Sequence, residues 1–426
     1  MLGEALKGLF RWVLKALLCV IAAQAALVAG LEAAGRVRRG LRRCLRGGPS
    51  EGGREGFAWQ QREEIELESG GARLKLYTQG EELYEEMLEE ITRAERNVFL
   101  GTFIWKDDEW GRRFVEALAE KARQGVEVYV VFDGLANVLV PAGFKDFPKE
   151  IGALHFHNLS TPQSAANPRN VFRHHRHYMS VDGWVAFLGG FNIGSVYART
   201  WRDTHVRIEG EEVRQAENYF ADFWNAHRDP SQPEMSPPSR RHLGSDVKLH
   251  RNDPYMRIFP IRAVYLEALD RANEHVYLTH AYFVPDRAIK AAMTEAVKRG
   301  VDVQVMVPKE SDKPTLDWLA RGHFGDLLEA GVRIFAYDER YMLHAKTITM
   351  DGKWSMVGSA NLDSLSHQSL YEINLEFHSA RLAGQMEEVF ELDKTEAEEI
   401  TPEAWEGRPY LAKILEQALV PIRPLI

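Results

Sequence analysis

Cysteine is almost absent from this chain of 426 residues, and its two cysteines, Cys19 and Cys44, both lie near the N-terminus. The rest of the chain therefore has no disulfide framework, no cysteine nucleophile and no thiolate metal site. This composition allows a reducing compartment but does not require one.

An excess of basic residues is also missing outside the N-terminus. The first fifty residues carry nine Lys or Arg and two Glu, so the remaining residues hold a net charge of −16 within the total of −9. Proteins that bind nucleic acid usually present a basic surface, because phosphate neutralisation drives their affinity. We therefore expect no nucleic-acid partner, although a local basic groove can exist within an acidic total.

A long apolar run is lacking as well. The uncharged N-terminal stretch, residues 16–31, falls short of the ~20 residues that usually span a bilayer core, although Lys15 and Glu32 could snorkel and extend it. Three basic residues precede this stretch and six arginines follow it. We expect residues 1–50 to form a hydrophobic membrane-anchoring helix with an Arg-rich flank. The positive-inside tendency then places the catalytic body on the cytoplasmic side of the cell (inner) membrane.

Two other interpretations of the N-terminus stay open. The sequence Ala-Gln-Ala at residues 23–25 resembles a signal-peptidase site, and the helix could instead lie along the membrane surface. The C-terminal amphipathic segment, residues 401–426, either touches lipid through its run 410–426 or packs on the body of the protein.

What the chain does contain is a motif in two copies. The later copy, LHAKTITMDGKWSMVGSAN at residues 343–361, carries His344, Lys346, Asp351, Ser359 and Asn361. The earlier copy, HRHYMSVDGWVAFLGGFN at residues 175–192, repeats these spacings with His175, His177, Asp182, Gly190 and Asn192. Two half-sites that build one active site are the implied design.

The spacing suits a phosphodiester. Residues i and i+2 of a strand point to the same face, so His344 and Lys346 project into one pocket. Small residues such as Gly190 and Ser359 let backbone N–H groups approach an anion, and an asparagine amide adds a donor.

A carboxylate follows each histidine at the same distance along the chain. Asp203 lies 28 residues after His175, and Glu372 lies 28 residues after His344. A carboxylate that accepts Nδ1–H sets the tautomer of a histidine and leaves Nε2 free to react. The repeated offset predicts that each histidine pairs with the carboxylate of its own half.

The repeat extends beyond the motifs. The stretch from NVFLGTFIW to VEVYVVFDG recurs from HVYLTHAYF to VDVQVMVPK, with a helical run between the two strands in each case. Alternating strands and amphipathic helices predict an α/β protein made of two tandem α/β/α sandwich domains, residues 70–230 and 245–400. A polar, Pro-rich stretch, residues 228–246, forms the boundary.

With these motifs in view, the chain resembles the phospholipase D superfamily, and within it the bacterial cardiolipin synthases. The later motif matches the family signature in full, and the resemblance covers roughly residues 74–390. It implies two phospholipase D-like domains that form one pseudo-twofold active site, which needs no metal or other cofactor. The substrate that it implies is a phospholipid, phosphatidylglycerol, and the reaction joins two of these into cardiolipin and glycerol.

The resemblance also assigns roles to the matched residues. It makes His175 the nucleophile that forms a phosphohistidine, and His344 the general acid and base. Asp203 and Glu372 support the two histidines, and Asp182 and Asp351 have structural roles. The phosphate oxygens would be held by Lys346, His177, Asn192, Asn361, Gly190 and Ser359.

His177 departs from the family pattern, which has lysine at this position. A histidine with an ordinary pKa of roughly 6.5 is mostly neutral near pH 7, so the first half-site is weakened. If His177 must be protonated while His175 must be neutral, a narrow pH optimum follows. Three functions stay open: a slower cardiolipin synthase, a phospholipase D hydrolase and a lipid-binding pseudoenzyme. We expect substrate-specific contacts near Asp133–Phe147 and Ser311–Phe324, while the oligomeric state is unknown.

Overall fold

A computed structural model describes residues 26–35, 37, 63–67, 72–156, 172–236, 246–337 and 341–420. These residues form two α/β halves, each built on an eight-stranded mixed sheet. The strands of the first half are β1 (Ile65–Glu66), β2 (Arg73–Tyr77), β3 (Asn97–Thr102), β4 (Glu127–Asp133), β5 (Ile151–Phe156), β6 (Arg173–His174), β7 (Tyr178–Val181), β8 (Val185–Gly189), β9 (Trp201–Arg202) and β10 (His205–Glu209). Those of the second half are β11 (Val247–Arg251), β12 (His275–His280), β13 (Asp302–Pro308), β14 (Arg333–Tyr337), β15 (Met342–Leu343), β16 (Lys346–Met350), β17 (Trp354–Gly358), β18 (Leu370–Tyr371), β19 (Ile373–His378) and β20 (Ala397–Ile400).

Helices cover both faces of each sheet. In the first half they are α1 (Gly80–Arg93), α2 (Glu109–Arg123), α3 (Ala142–Lys145), α4 (Ser195–Thr200) and α5 (Val213–His227). In the second half they are α6 (Pro260–Arg271), α7 (Arg287–Lys298), α8 (Pro314–Glu329), α9 (Ser364–Gln368), α10 (Ala380–Lys394), α11 (Pro402–Glu406) and α12 (Tyr410–Ala418). The predicted pair of tandem α/β/α sandwiches is confirmed.

The two sheets share the order of seven strands and differ in the eighth, β1 or β20, which lies at opposite edges. The first has the order β1-β2-β10-β8-β7-β3-β4-β5 and the second β11-β19-β17-β16-β12-β13-β14-β20. Three strands run parallel in each sheet, β3–β4–β5 in the first and β12–β13–β14 in the second. The motif strand next to them, β7 or β16, runs antiparallel. Strands β4 and β13 read as nearly continuous apolar runs because helices cover both faces of the sheet.

The helix that follows strand β3 or β12 begins in the same way in both halves. The Asp108 side chain accepts a hydrogen bond from Gly111 N at the start of α2, and the Asp286 side chain accepts from Ala288 N and Ile289 N at the start of α7. Such N-caps satisfy backbone donors that a helix leaves unpaired. The internal repeat therefore extends to the local signals that start each helix.

The halves are joined by a common core and by two short strand pairs. One hydrophobic cluster contains Leu188 and Val206 of the first sheet together with Val357 and Leu375 of the second. Strand β6 pairs in parallel with β18, and β9 pairs in parallel with β15, so each half lends a strand to the other. These two pairs carry the chain directly into the two histidines of the motifs.

The structure describes only part of the N-terminal segment. Most of the expected membrane anchor, residues 1–50, lies outside the described residues. Its described part, residues 26–35, is helical and packs Leu27, Val28 and Leu31 against the core of the second half. No helix in the described ranges is long and apolar enough to cross a membrane.

The C-terminal segment packs on the body of the protein. Trp405 and Leu419 join the core of the second half, and buried Glu416 on α12 pairs with Arg408 at 2.9 Å. The opposite face of α12 leaves Leu411 and Ile414 exposed. The C-terminal segment therefore packs on the body of the protein, as one of the two interpretations expected. Its helix α12 also has an apolar face that points outward.

Candidate active site

The short strand pairs between the halves bring both motif histidines to one interface. His175 N donates to Tyr371 O at 3.0 Å, and His344 N donates to Arg202 O at 2.7 Å. Each backbone bond links a histidine to the residue that immediately precedes the carboxylate of the other half. The two imidazoles are nearly buried, with 7% and 4% exposure.

Each histidine pairs with the carboxylate of the opposite half. His344 Nδ1 lies 2.6 Å from Asp203 Oδ2, and His175 Nδ1 lies 3.0 and 3.1 Å from the two carboxylate oxygens of Glu372. The prediction of pairing within each half is therefore wrong. The equal offsets of 28 residues reflect the internal repeat, and the two halves exchange their carboxylates symmetrically. In both pairs a carboxylate that accepts Nδ1–H leaves Nε2 as the reactive nitrogen.

The small residues of the motifs position these carboxylates. A Cβ added at Gly190 would collide with the carboxylate of Asp203, so only glycine lets this side chain reach His344. At the equivalent place in the second half, the Ser359 hydroxyl donates to Glu372 Oε2. Thr204 N also donates to Asp203 Oδ1 at 2.7 Å.

The backbone N–H groups of Gly190 and Ser359 are not the free donors that the expected phosphate contacts require. Gly190 N donates to Thr204 O and Ser359 N donates to Ile373 O, each at 3.0 Å. Both N–H groups lie in the extended backbone that continues β8 and β17, so they are already occupied and are not free to bind an anion. The two residues therefore support the carboxylates that hold the histidines.

Lys346 is fully buried beside His344. Its Nζ lies 2.7 Å from His344 Nδ1 and 3.9 Å from Asp203 Oδ2, and it donates to His344 O. Burial lowers the pKa of Lys346 to about 8, against the opposing effect of Asp203. An ammonium and an Nδ1–H are both donors, so their close approach is unfavourable, and a phosphate anion would draw the ammonium away from Nδ1.

The pKa of His344 is lowered, first by burial and then by the charge of Lys346. Asp203 opposes this effect, because a carboxylate favours the imidazolium. His344 is therefore neutral at pH 7 in the unliganded protein. A bound anion would reverse that balance.

His177 is 1% exposed, and neither of its ring nitrogens has a hydrogen-bond partner within the described part of the chain. Burial lowers its pKa well below the usual value, and the neighbouring His175 and Lys346 add to this effect. His177 is thus neutral across the physiological range. The narrow pH optimum that follows from a protonated His177 is not supported by this environment.

The two motif asparagines are both nearly buried. Asn192 Oδ1 accepts a hydrogen bond from Ile104 N at 2.8 Å, which leaves its NH₂ group as the available donor. Asn361 is 3% exposed, and its Oδ1 has no partner among the described residues. Buried polar atoms of this kind usually have partners, so bound substrate is the natural candidate.

The motif aspartates lie at the turns that connect the strands. Asp182 accepts hydrogen bonds from the backbone of Glu95, Arg96 and Asn97, and Asp351 accepts from Asn273, Glu274 and His275. Both aspartates have a positive φ, 54° and 52°. Each therefore ties the turn after one motif strand to the start of the neighbouring strand.

Several residues of the site carry no signal in the motifs. Phe103 packs against His175 with 4.7 Å between ring centroids, Trp201 against His344 with 4.6 Å, and Tyr282 against His344 with 6.0 Å. Buried Asp363 caps α9, and burial raises its pKa to about 7. Asp363 lies two residues after Asn361, so its proximity to the motif could have indicated it. Of these aromatic contacts, that of Trp201 joins the two halves, whereas Phe103 and Tyr282 contact the histidine of their own half.

Asp133, which begins one of the expected specificity loops, has a structural contact. Its carboxylate forms two hydrogen bonds with Arg173, at 2.7 and 2.9 Å, and accepts from His174 N. It therefore fixes the strand immediately before His175. The second expected loop contains Asp312, whose negative charge acts to raise the pKa of His344.

The polar groups of the site do not form a metal-binding cluster in the described ranges, where no group of three or more His, Cys, Asp or Glu side chains could hold an ion. A cavity of about 230 Å³ lies beside the site in the second half. Tyr282 lines it, together with Leu316, Phe324 and Trp405.

Two nearly buried histidines, each with Nδ1 paired to a carboxylate and Nε2 left available, make up this site, and one of them lies beside a buried lysine. A family model described as "Cardiolipin synthase, PLD-like domain" matches residues 87–224 and 265–394. The chain belongs to this family, which is part of the phospholipase D superfamily.

Curated relatives extend the match over most of the chain. A cardiolipin synthase of Clostridium perfringens is 31% identical over 371 residues, which are 83% of this chain and 77% of the relative. Cardiolipin synthase A of Pseudomonas aeruginosa is 32% identical and covers 78% and 69%. Cardiolipin synthase 1 of Staphylococcus aureus is 30% identical and covers 82% and 73%.

Solved structures share the fold at low sequence identity. Phosphatidylserine synthase of Haemophilus influenzae is 14% identical, with a TM-score of 0.64, over 85% of this chain and 95% of that one. Polyphosphate kinase of Porphyromonas gingivalis is 13% identical, with a TM-score of 0.52, over 83% and 53%.

Proposed function

We propose that the protein is a phosphatidyltransferase of the cardiolipin synthase type, which converts two phosphatidylglycerols into cardiolipin and glycerol. The observation that carries the proposal is the crossed pairing of His175 with Glu372 and of His344 with Asp203. It gives two reactive Nε2 atoms at one interface, as a two-step displacement at phosphorus requires. The cardiolipin synthase relatives support the choice of substrate.

In the first step, Nε2 of His175 attacks the phosphorus of one phosphatidylglycerol. The bond between phosphorus and the headgroup glycerol oxygen breaks, and His344 gives its Nε2 proton to that oxygen. Glycerol leaves, and the phosphatidyl group stays on His175 as a phosphohistidine. Glu372 stabilises the positive charge that develops on the His175 imidazole.

In the second step, His344 accepts the proton of a headgroup hydroxyl from the second phosphatidylglycerol. That oxygen attacks phosphorus, the bond between nitrogen and phosphorus breaks, and cardiolipin forms. Lys346 and the amides of Asn192 and Asn361 hold the negatively charged oxygens in both steps. His177 contributes at most a neutral N–H donor.

The acid role of His344 depends on substrate binding. Its pKa is lowered in the unliganded protein, mainly by burial and by Lys346. A phosphodiester anion favours the imidazolium, and it also attracts the Lys346 ammonium away from His344 Nδ1. Substrate binding and proton uptake by His344 are therefore coupled.

The test is incubation of the detergent-solubilised full chain with labelled phosphatidylglycerol, followed by identification of the products. Cardiolipin and glycerol in equal amounts support the proposal. Phosphatidic acid as the only lipid product indicates a hydrolase, and no product indicates a lipid-binding pseudoenzyme. His344→Asn and His175→Asn serve as inactive controls.

A second measurement addresses the intermediate. Denaturation in alkaline solution during turnover should trap label on the protein, because the bond between nitrogen and phosphorus is stable in base and labile in acid, and His175→Asn should abolish this trapping. In His344→Asn the intermediate would form slowly from the natural substrate, because the leaving alkoxide lacks its proton donor. Label that remains on His175→Asn would instead identify another nucleophile.

We further propose that the protein acts at the cytoplasmic face of the cell membrane, with residues 1–50 as its anchor. The helical residues 26–35 pack on the second half, where Glu32 accepts a hydrogen bond from Thr315 N at the start of α8. Helix α12 packs on α8 as well and exposes Leu411 and Ile414. Removal of residues 1–50 should shift the protein from the membrane fraction to the supernatant.

A further inference from the structure

We propose that Tyr282 and Asp312 form a polyol subsite beside His344, which binds the headgroup hydroxyls of the accepting phosphatidylglycerol. This inference rests on the proposed function, and it concerns what selects a lipid hydroxyl over water. The two residues lie at the ends of adjacent parallel strands of the second sheet. Tyr282 follows β12, and Asp312 lies between β13 and α8.

The geometry places this pair next to the acid and base of the reaction. The Tyr282 ring meets the His344 ring edge to face, with 6.0 Å between centroids and 83° between planes. The Tyr282 hydroxyl donates to Asp312 Oδ1 at 2.5 Å. The hydroxyl and the carboxylate therefore have a fixed relation to each other and to His344.

The pair is accessible to a ligand. Tyr282 is half-buried, and the Asp312 side chain is 31% exposed, in contrast to the nearly buried Asp203 and Glu372. The pKa of Asp312 is lowered, against the effect of burial, by Lys313, Tyr282 and His344. Asp312 is therefore an ionised acceptor at neutral pH, and a carboxylate can accept hydrogen bonds from two neighbouring hydroxyls.

The subsite exists in one half only. Trp105 pairs with Ile193 and Phe283 pairs with Leu362 in equivalent bridges, so Ile104 of the first half corresponds to Tyr282. Isoleucine offers no hydroxyl beside His175. The polar pair thus lies on the side of His344, where glycerol leaves and the acceptor hydroxyl arrives.

This position explains how a lipid hydroxyl can compete with water for the phosphohistidine. A site that holds a polyol next to the base replaces a random encounter with a positioned one. A water molecule at the position of attack is too small to reach this carboxylate, so the subsite does not help to position it. Loss of the pair should therefore lower transfer to a polyol more than transfer to water.

The experiment measures the ratio of cardiolipin to phosphatidic acid formed from labelled phosphatidylglycerol by the full chain. Tyr282→Phe and Asp312→Asn keep the size of each side chain and remove the proposed contacts. We expect the ratio to fall about tenfold in each variant. Tyr277→Phe and Asp326→Asn, which change a tyrosine and a carboxylate elsewhere in the second half, should keep the ratio of the unmodified protein.

A competition between free glycerol and ethanol as acceptors separates the subsite from the proposed function. The unmodified protein should prefer glycerol, and both variants should lose this preference. Cardiolipin formation with an unchanged ratio and unchanged preference in both variants would overturn the subsite but leave the proposed function intact. A preference for glycerol in a protein that forms no cardiolipin would retain the subsite and reject the proposed function.

Discussion

At the scale of single residues, the site is defined by how charge is distributed around one phosphate. Lys346 is the buried cation of the second motif, whereas the first motif offers the neutral His177. Neutral imidazole can donate a hydrogen bond to phosphate but brings no charge. The two half-sites are therefore chemically unequal although their backbones are equivalent.

Replacing His177 with lysine should raise turnover. A second cation near the phosphate would add a charged hydrogen bond, typically worth about 1.5–3 kcal/mol, so an increase of roughly tenfold is expected in the initial rate of cardiolipin formation. His177→Gln, which keeps a neutral donor, should show no gain. If His177→Lys folds and binds substrate without a higher rate, the motif lysine is dispensable in this half.

Gly190→Ala should impair catalysis by moving Asp203. Its new Cβ would occupy the space of the carboxylate that holds His344, and a displacement of about 1 Å can cost roughly 10²-fold in rate. Gly143→Ala is the matched control, because nothing lies within 4 Å of the added Cβ. Equal kcat values for the two variants would contradict the proposed role of Gly190.

Activity should decline in alkaline solution because Lys346 loses its proton. Its pKa of about 8 means that the ammonium is present below pH 8 and is lost above it. Because kcat/KM reports the free enzyme, proton uptake by His344 already lowers it as the pH rises, and we expect the fall to become steeper above about pH 8, where the Lys346 ammonium is lost as well. In Lys346→Arg the steeper fall above pH 8 should be absent, since guanidinium stays charged. An equal slope of kcat/KM against pH below and above pH 8 in the unmodified protein would exclude this cause.

At the scale of elements, strand β9 and helix α10 are joined across the halves by one ion pair. Arg202 forms two hydrogen bonds with Asp393, at 2.6 and 3.1 Å, and both side chains are 2% exposed. Arg202 also donates to the backbone carbonyl of Asp203. The pair therefore supports both the docking of the halves and the residue that holds His344.

Asp393→Ala should destabilise the protein, because it leaves the Arg202 charge buried without its carboxylate. The expected loss in the free energy of unfolding is about 3–5 kcal/mol, measured by urea denaturation. Asp326→Ala, which removes an exposed partner of Lys290, should cost less than about 1 kcal/mol. The double variant Arg202→Met with Asp393→Leu should recover part of the loss. Similar losses for the buried and exposed variants would contradict this account.

At the scale of the whole molecule, the two halves form one enzyme because neither completes a histidine and carboxylate pair alone. Their contact combines a shared hydrophobic core with the strand pairs β6–β18 and β9–β15. Because these contacts are made by the two halves themselves, we expect packing to hold the halves together without the connection through residues 237–245.

A protease site introduced within residues 237–245 should leave the cleaved protein active. The two fragments should elute together in size-exclusion chromatography, and cardiolipin formation should stay within about twofold of the uncut protein, because the buried core resists separation. The same variant without protease treatment is the control. Separation of the fragments, or loss of activity on cleavage alone, would show that the connection itself is needed.

The sequence by itself determined the two sandwich halves and the identity of both motifs, because periodic apolar residues and exact spacings are properties of the chain. It also showed Asp203 and Glu372, through their equal offsets. Tertiary structure alone decided which histidine each carboxylate serves, since an offset of 28 residues is the same whether partners pair within a half or across the interface. Docking of the halves likewise brought Trp201 to His344, the fold of the second half brought Tyr282 there, and burial made His177 neutral, because solvent exclusion depends on neighbours that are distant in the chain.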